Sequence, residues 1–531
     1  MHRHRHDKLG SVYAFRSEID GWWESRRLRL EPPRQDPNRV ERHRQGWTPW
    51  LIGAGLALIA AGAMTYLLDD RAARAANPAI TSLVVLPLDN LSDDPSQEYF
   101  ALGITDELIG TLAQIRALRV VSRTSSMSLK GRSTPLPSIA RELGVDGVLE
   151  GTVQRAGDRV RIRIQLLHGP SDTHLWARDF ERDVTDILTL QSEIAQAVAQ
   201  EIRVTITPEE RTRMASARAV NTAAHEEYLL GRYLLWKFID DDRTLAVEHF
   251  HRAIQIDPAY AAAYAGLAHA WWMGGVFGPL SMKEAAPAAG AAARKALELD
   301  DHLAEAHAAK AYVEGIFDWN WSRAEGTIRH AIDINPNSLE AHYVYALLLM
   351  AVGRLPEAIV HIEHAARLDP LSAQVHSTFG RVLYRARKWD EAVSHLQRAI
   401  ELEPRNAIAH SRLGDTYEHM GQYADALASF GKESALLGGS ATDDPDVARV
   451  YARMGKVTEA RQILSRVGTA GPDVYAALGD KNQAFALLFR SADKRQSDDW
   501  PLYVMADPHF DSLHGDLRWQ ELLARMNLQA Q

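Results

Sequence analysis

The sequence predicts a multi-domain chain: a single transmembrane helix, an α+β domain, and an all-α superhelix of repeated helix pairs. Three observations predict it. Residues 50–68 form an uncharged run of 19, residues 147–167 alternate apolar and polar side chains around a turn, and from about residue 222 one pattern recurs every 34 or 35 residues. The length of 531 residues agrees, since about 150 per domain makes three or four units. With 60 basic against 69 acidic residues and a net charge of -9, a generally cationic nucleic-acid coat is excluded. No cysteine is present, which excludes disulfide frameworks, thiol nucleophiles, iron–sulfur clusters and cysteine zinc sites.

The first 46 residues carry eleven Lys/Arg against seven Asp/Glu, a basic segment. It reads as a strand-like piece, a turn at Gly10, and an amphipathic helix with Phe15, Ile19, Trp22 and Trp23. His2, His4 and His6 alternate, but further ligands are not near them, so solvated basic residues are expected rather than a metal site. These residues resemble the wing and final helix of an excisionase/MerR-type helix-turn-helix domain. That resemblance implies two groove-entering helices earlier in the chain, so either the true start lies upstream or the domain has decayed. DNA is expected as a partner only if that upstream part exists.

Residues 47–69 read as the membrane helix. At about 1.5 Å per residue, the run from Trp50 to Leu68 covers roughly the 30 Å of a bilayer's hydrocarbon. Trp47 and Trp50 at one end and Tyr66 at the other suit the headgroup level. Arg34, Arg39, Arg42 and Arg44 precede the run while Asp69 and Asp70 follow it, which places the N-terminus in the cytoplasm. The expected location is therefore the inner membrane, single-pass, with the later domains periplasmic. A cleaved signal peptide competes, but 46 polar residues come first. Gly53, Ala57 and Ala61 recur at four-residue spacing, a seam on which a homodimer could close.

Residues 80–205 read as the α+β domain. SLVVLPLDN is a buried strand ending in turn residues, and Phe100, Ile104, Leu108, Leu112 and Ile115 mark an amphipathic helix. A short strand at 118–122 and a short helix at 138–143 follow. Val160, Ile162, Ile164 and Leu166 alternate with Arg159, Arg161, Arg163 and Gln165, which with 147–155 and the turn at 156–158 makes a hairpin with one dry face. A third strand at 174–180 and a closing helix at 186–202 complete it. The runs VVLPLDNLSDDPSQEYFALGITDELIGTLAQIRALRVVSRTSSMSLKG, IARELGVDGVLEGTVQRAGDRVRIRIQLL and HLWARDFERDVTDILTLQSEIA resemble the TolB-amino-terminal-like (FlgO-like) domain. Such domains precede repeat arrays in bacterial membrane-anchored regulators, including CadC-like ones. The resemblance implies a sensor or scaffold module. Asp89, Asp93 and Asp94 are expected to punctuate a turn, and Arg123, Thr124 and Ser125 to serve local backbone rather than a phosphate, since the phosphate-loop motif is absent.

Residues 222–434 carry the repeats. Aligned, they place Pro258, Asp301, Pro336, Pro370 and Pro404 in one column, at spacings of 43, 35, 34 and 34. Ala358, Ala392 and Ala426 are small where paired helices approach, Ile362, Leu396 and Phe430 fill the space four residues on, and Gly353 and Gly421 punctuate the turns. The 34-residue period and these columns resemble tetratricopeptide repeats. An insert at 274–281 accounts for the long spacing, and FDWNWSRAE, with Trp319 and Trp321, reads as a variant repeat whose aromatics pack between helices.

Such an array curls so that the first helix of each pair lines a concave surface. Projection places Tyr343, Leu347, Met350, Ser377, Arg381, Tyr384, Arg385, Ser411, Asp415, Glu418 and His419 on it, a mixture suited to an extended peptide. Residues 445–531 read as further helical pairs and a closing cap, with DPHFDSL and LRWQELLARMNL covering an otherwise exposed apolar face.

His361 and His364 share a helix face, with packing or exposure as the expectation. Without zincin, nucleophile-elbow, kinase or dinucleotide signatures, an enzyme is the least expected class, and no cofactor or metal is expected. The leading reading is a membrane-anchored scaffold or sensor that binds a protein or peptide through its repeats. The alternative is a transmembrane transcriptional regulator.

Overall fold

In the computed structural model, the described residues are 2–3, 12–13, 79–92, 94–215, 220–235, 240–277, 282–468, 470–494 and 503–528. They fall into two compact units, 1–76 and 77–531. In the first, strand β1 (His2–Arg3) pairs antiparallel with β2 (Val12–Tyr13). Otherwise the basic segment, with its helix-turn-helix resemblance, and the small-residue seam at Gly53, Ala57 and Ala61 lie outside the described residues.

The second unit begins with a six-stranded sheet. Strand β3 (Ser82–Val85) lies between β5 (Arg119–Val120) and β6 (Gly147–Ala156) and runs parallel to both. The short β4 (Asp89–Asn90) pairs with β6 further along. From β6 the sheet continues antiparallel into β7 (Arg159–His168) and β8 (Thr173–Asp183). Along β7, Val160, Ile162, Ile164 and Leu166 are buried while Arg159, Arg161 and Arg163 are exposed. Those arginines face β8, where Arg163 pairs with Asp179 at 2.8 Å and Arg159 with Glu181 at 2.7 Å. Gly151 on β6 admits no side chain, because a Cβ there would stand 2.0 Å from the Arg163 carbonyl oxygen.

Helices Glu98–Ala113 and Ile187–Glu201 cover the apolar face. The former also packs on Thr222–Leu235, the first helix of the array. One core therefore runs without a break from Leu83 and Ile104 through Leu229 to Phe250. A second seam follows the repeat turns. Asn337 donates from Nδ2 to the carbonyls of Ala113, Ile115 and Leu118, and the Ser122 amide donates to the Leu368 carbonyl at 2.7 Å.

The array is built of antiparallel helix pairs. In three of them, Leu339–Ala351 with Leu355–Leu368, Ala373–Arg385 with Trp389–Leu402, and Ala407–His419 with Tyr423–Leu436, one set of devices recurs. Ser338, Ser372 and Asn406 cap the first helices with their side-chain oxygens. Ala358, Ala392 and Ala426 are fully buried at the crossings, with Ile362, Leu396 and Phe430 beside them. His342, His376 and His410 each bond through Nε2 to the carbonyl of the proline six residues earlier.

The single membrane-crossing helix of the sequence-based fold class is corrected. Among the described residues no helix is long and apolar enough to cross a membrane. The longest described, Met282–Leu299, holds Lys283, Glu284, Arg294, Lys295 and Glu298, charges that bilayer hydrocarbon does not accept. Residues 50–68, on which the expectation rested, lie outside the described residues. The fold that stands is mostly helical, a tetratricopeptide-like superhelix with a small sheet, and the inner-membrane placement is withdrawn together with the span that was its ground.

Candidate functional site

The projected surface residues lie on three successive first helices, 339–351, 373–385 and 407–419. In each, one turn of helix offers positions 34 residues apart to the same side. At the first helix, Leu347 and Met350 are buried, and the Tyr343 hydroxyl meets Thr378 Oγ1 at 2.9 Å. On the second, Ser377 accepts from Arg412 Nη1 at 2.9 Å. The guanidinium carbons of Arg381 and Arg385 stand 4.6 and 5.3 Å from the ring centre of Tyr503, two cation–π contacts on one ring. Arg385 also donates from Nη2 to Asp507 at 2.8 Å, with both groups buried. The Tyr384 hydroxyl lies 3.1 Å from His419 Nδ1 and 3.2 Å from His509 Nδ1.

Tyr503, Asp507 and His509 belong to the end of the chain. Residues 503–513 fold back as two short 3₁₀ turns, with Asp507 capping the second by accepting from the His509 amide at 3.1 Å. Phe510 and Leu513 enter the same core as Leu347 and Met350. The helix Leu517–Arg525 follows, and beyond it the Met526 carbonyl accepts from Trp321 Nε1 at 2.9 Å. The segment thus reaches from Arg385 to the variant repeat, and Trp321 serves to hold it. Burial opposes ionisation of Asp507, but Arg385 and His509 hold its carboxyl well below the usual range.

The third helix leads into a charged knot. Arg449, on helix Pro445–Arg453, is buried among four carboxylates: Asp415, Glu418 at 3.0 Å, Asp446 and Asp473. Burial and neighbouring acids push the Asp415 carboxyl up to about 7. Ser411 bonds to Glu433, whose carboxyl burial and Asp446 push up to about 8.

Sequence reasoning missed Arg449, Tyr503, Asp507 and His509. For Arg449 a signal existed: Arg381, Asp415 and Arg449 stand 34 residues apart in one column, with alternating charge. For the other three, local pattern carried none, because their partners on the repeats lie about 90 residues away or more.

A second concavity of about 320 Å³ opens between the sheet domain and the repeats, beside Asp106, Arg123, Arg232, Glu305, Asn337 and Glu340. Asp106 accepts from Arg232 at 2.8 Å and lies 3.5 Å from Arg123. Burial and Glu305 push the Glu340 carboxyl up to about 7. Ser125 gives both its amide and its hydroxyl to Asp369 of the repeats, so a carboxylate of the chain itself stands where an external anion was considered. Asp94 caps the turn at Ser96. His361 approaches His342 Nδ1 to Nδ1 at 2.9 Å, and His364 stacks on the same ring at 3.9 Å. His4 and His6 lie outside the described residues.

Residues 378–441 match a tetratricopeptide repeat family model. The chain is 33% identical over 281 residues to the curated protein named "Putative adenylate cyclase 3" of Rhizobium meliloti (strain 1021), covering 53% of this chain and 42% of that one. It therefore spans less than half the length of this relative. Among solved structures, similarity is found to PilF of Pseudomonas aeruginosa, with 20% identity over 42% of this chain and 98% of that one at a TM-score of 0.29. YrrB, described as a tetratricopeptide protein with an unusual peptide-binding site, gives 22% identity over 36% of this chain and 94% of that one at a TM-score of 0.27.

Proposed function

We propose that the chain is a protein-binding module, and not a catalyst, whose first-helix surface recognises an extended partner segment while its own residues 503–513 keep that surface covered. The cation–π contacts of Tyr503 with Arg381 and Arg385, with Asp507 paired to Arg385, carry this reading. These groups could grip a peptide in the same way: two guanidinium groups for a ring, Arg385 for an acid four residues on, and a tyrosine hydroxyl for a polar side chain. A partner carrying an aromatic residue and an acid at that spacing competes for the same groups. Tetratricopeptide repeats matched at 378–441 support binding as the general role. The 80–205 part, by its sequence resemblance, is read as the scaffold or sensor module that holds the array.

The test is a labelled peptide with the sequence of residues 503–513, titrated by fluorescence anisotropy. The expected result is weak binding to the intact chain and at least about tenfold tighter binding to Tyr503→Ala/Asp507→Ala, a change of about 1.4 kcal/mol. A folded double variant that takes up no peptide overturns the reading.

A further inference from the structure

We propose that Asp301, His307 and His330 form a binding site for one borderline divalent transition-metal ion of the zinc type. One ligand atom from each lies within 4.8 Å of the others. His307 Nε2 stands 3.4 Å from Asp301 Oδ1 and 2.9 Å from the Asp301 carbonyl oxygen. The 3.4 Å separation suits two ligands about 2.1 Å from one ion at about 110°, and ligation through Nε2 replaces its bond to the carbonyl, the ring proton then residing on Nδ1. The His307 and His330 rings meet edge to face at 4.8 Å between centres. His307 is buried, whereas Asp301 and His330 are exposed and able to turn toward an ion entering from solvent. Imidazole and carboxylate together suit zinc, nickel or copper rather than calcium or magnesium.

The repeats supply an internal comparison. His342, His376 and His410 make the same Nε2 bond to a carbonyl, so that bond alone is a structural device of the array. In those repeats the carbonyl belongs to Pro336, Pro370 or Pro404; in this one the residue is Asp301, which adds a carboxylate. His330 aligns with His364 and Arg398, 34 residues apart. The neighbouring His342 and His364 stack without an acid beside them, and His376 has Arg398 at the aligned position. Among these four repeats, this one alone brings two imidazoles and a carboxylate together.

The test uses the full chain stripped with a chelator, in a His2→Ala/His4→Ala/His6→Ala background so that the N-terminal histidines contribute nothing. Zinc chloride alone is titrated by calorimetry at pH 7.5. One ion per chain is expected, with affinity lowered at least about tenfold by Asp301→Pro, which restores the residue of the other repeats, and by His330→Ala. His364→Ala is expected to leave it unchanged. Absence of binding in the background protein, or an affinity in Asp301→Pro and His330→Ala equal to that of the background protein, overturns the assignment. Should Asp301→Pro fail to fold, His330→Ala decides alone, its side chain being exposed.

Discussion

Arg449 illustrates what a single residue does in this array. Its guanidinium is almost fully buried and faces four carboxylates, with the Phe430 ring 5.4 Å away. Desolvation of one cation is offset only because every guanidinium nitrogen finds an acid. The acids in turn outnumber it, so burial raises the Asp473 carboxyl as it does that of Asp415. Replacing Arg449 by methionine removes the cation and leaves the carboxylates facing one another. A loss of about 3 to 5 kcal/mol is expected in urea unfolding, the range for breaking a buried ion pair from one side. A loss below about 1 kcal/mol would show that the acids simply protonate without cost.

At the scale of the element, the turns between paired helices show how the terminal segment is held. Gly353 and Gly421 have φ of 78° and 75°, a left-handed conformation that glycine adopts without strain. The aligned residue between them is Arg387, at φ 63°. A non-glycine residue there costs about 1 kcal/mol or more. The guanidinium accounts for its presence: it donates to the Ala506 carbonyl at 3.0 Å and to Asp511 at 2.7 Å. Strain in a turn is exchanged for a hold on residues 503–513. Arg387→Gly is therefore expected to leave the repeats as stable as before, by thermal unfolding, while amide exchange in 503–513 accelerates at least about fivefold, roughly 1 kcal/mol of lost protection. Unchanged exchange there would mean that Arg385 and the buried Phe510 hold the segment unaided.

Across the whole molecule, the sheet domain and the array form one cooperative body, because the core passes from Ile104 to Leu229 without a boundary. Its stability carries a histidine signature. Burial holds His342, His361, His364 and His395 down to about 4, with His364 opposing the charging of His342 and His342 that of His361. In the unfolded chain the same rings titrate near 6.5. Below that pH the unfolded state takes up protons that the folded state refuses, so the contribution of these rings to stability is full above about 6.5 and falls as the pH drops toward 4. The raised His509 and the carboxyls of Glu340, Asp415 and Glu433, pushed up to about 7, 7 and 8, have the opposite sign and add stability toward acid. The histidine contribution is therefore read as a difference: His361→Gln, which does not titrate, is expected to lose about 1 kcal/mol less stability than the parent between pH 7.5 and 5, allowing for partial solvent access. An identical pH dependence in the two proteins contradicts the buried, neutral state of this ring.

The sequence by itself determined the elements whose cause is local. The β7 alternation of Val160, Ile162 and Ile164 exposes one face and buries the other whatever else is present. The repeat columns of Ala358, Ala392 and Ala426 recur because each helix pair must bury the same stripe on its neighbour. The projection of eleven residues onto one side of the array rests on the same reasoning, since a 34-residue period returns each position to the same side. What covers them was not legible. Arg385 meets Asp507 across 122 positions, and Ser125 meets Asp369 across 244. Pairings so distant leave no period in the chain, and only tertiary packing, which brings residues 503–513 and the sheet domain against the turns, decided which charges are spent on the protein itself.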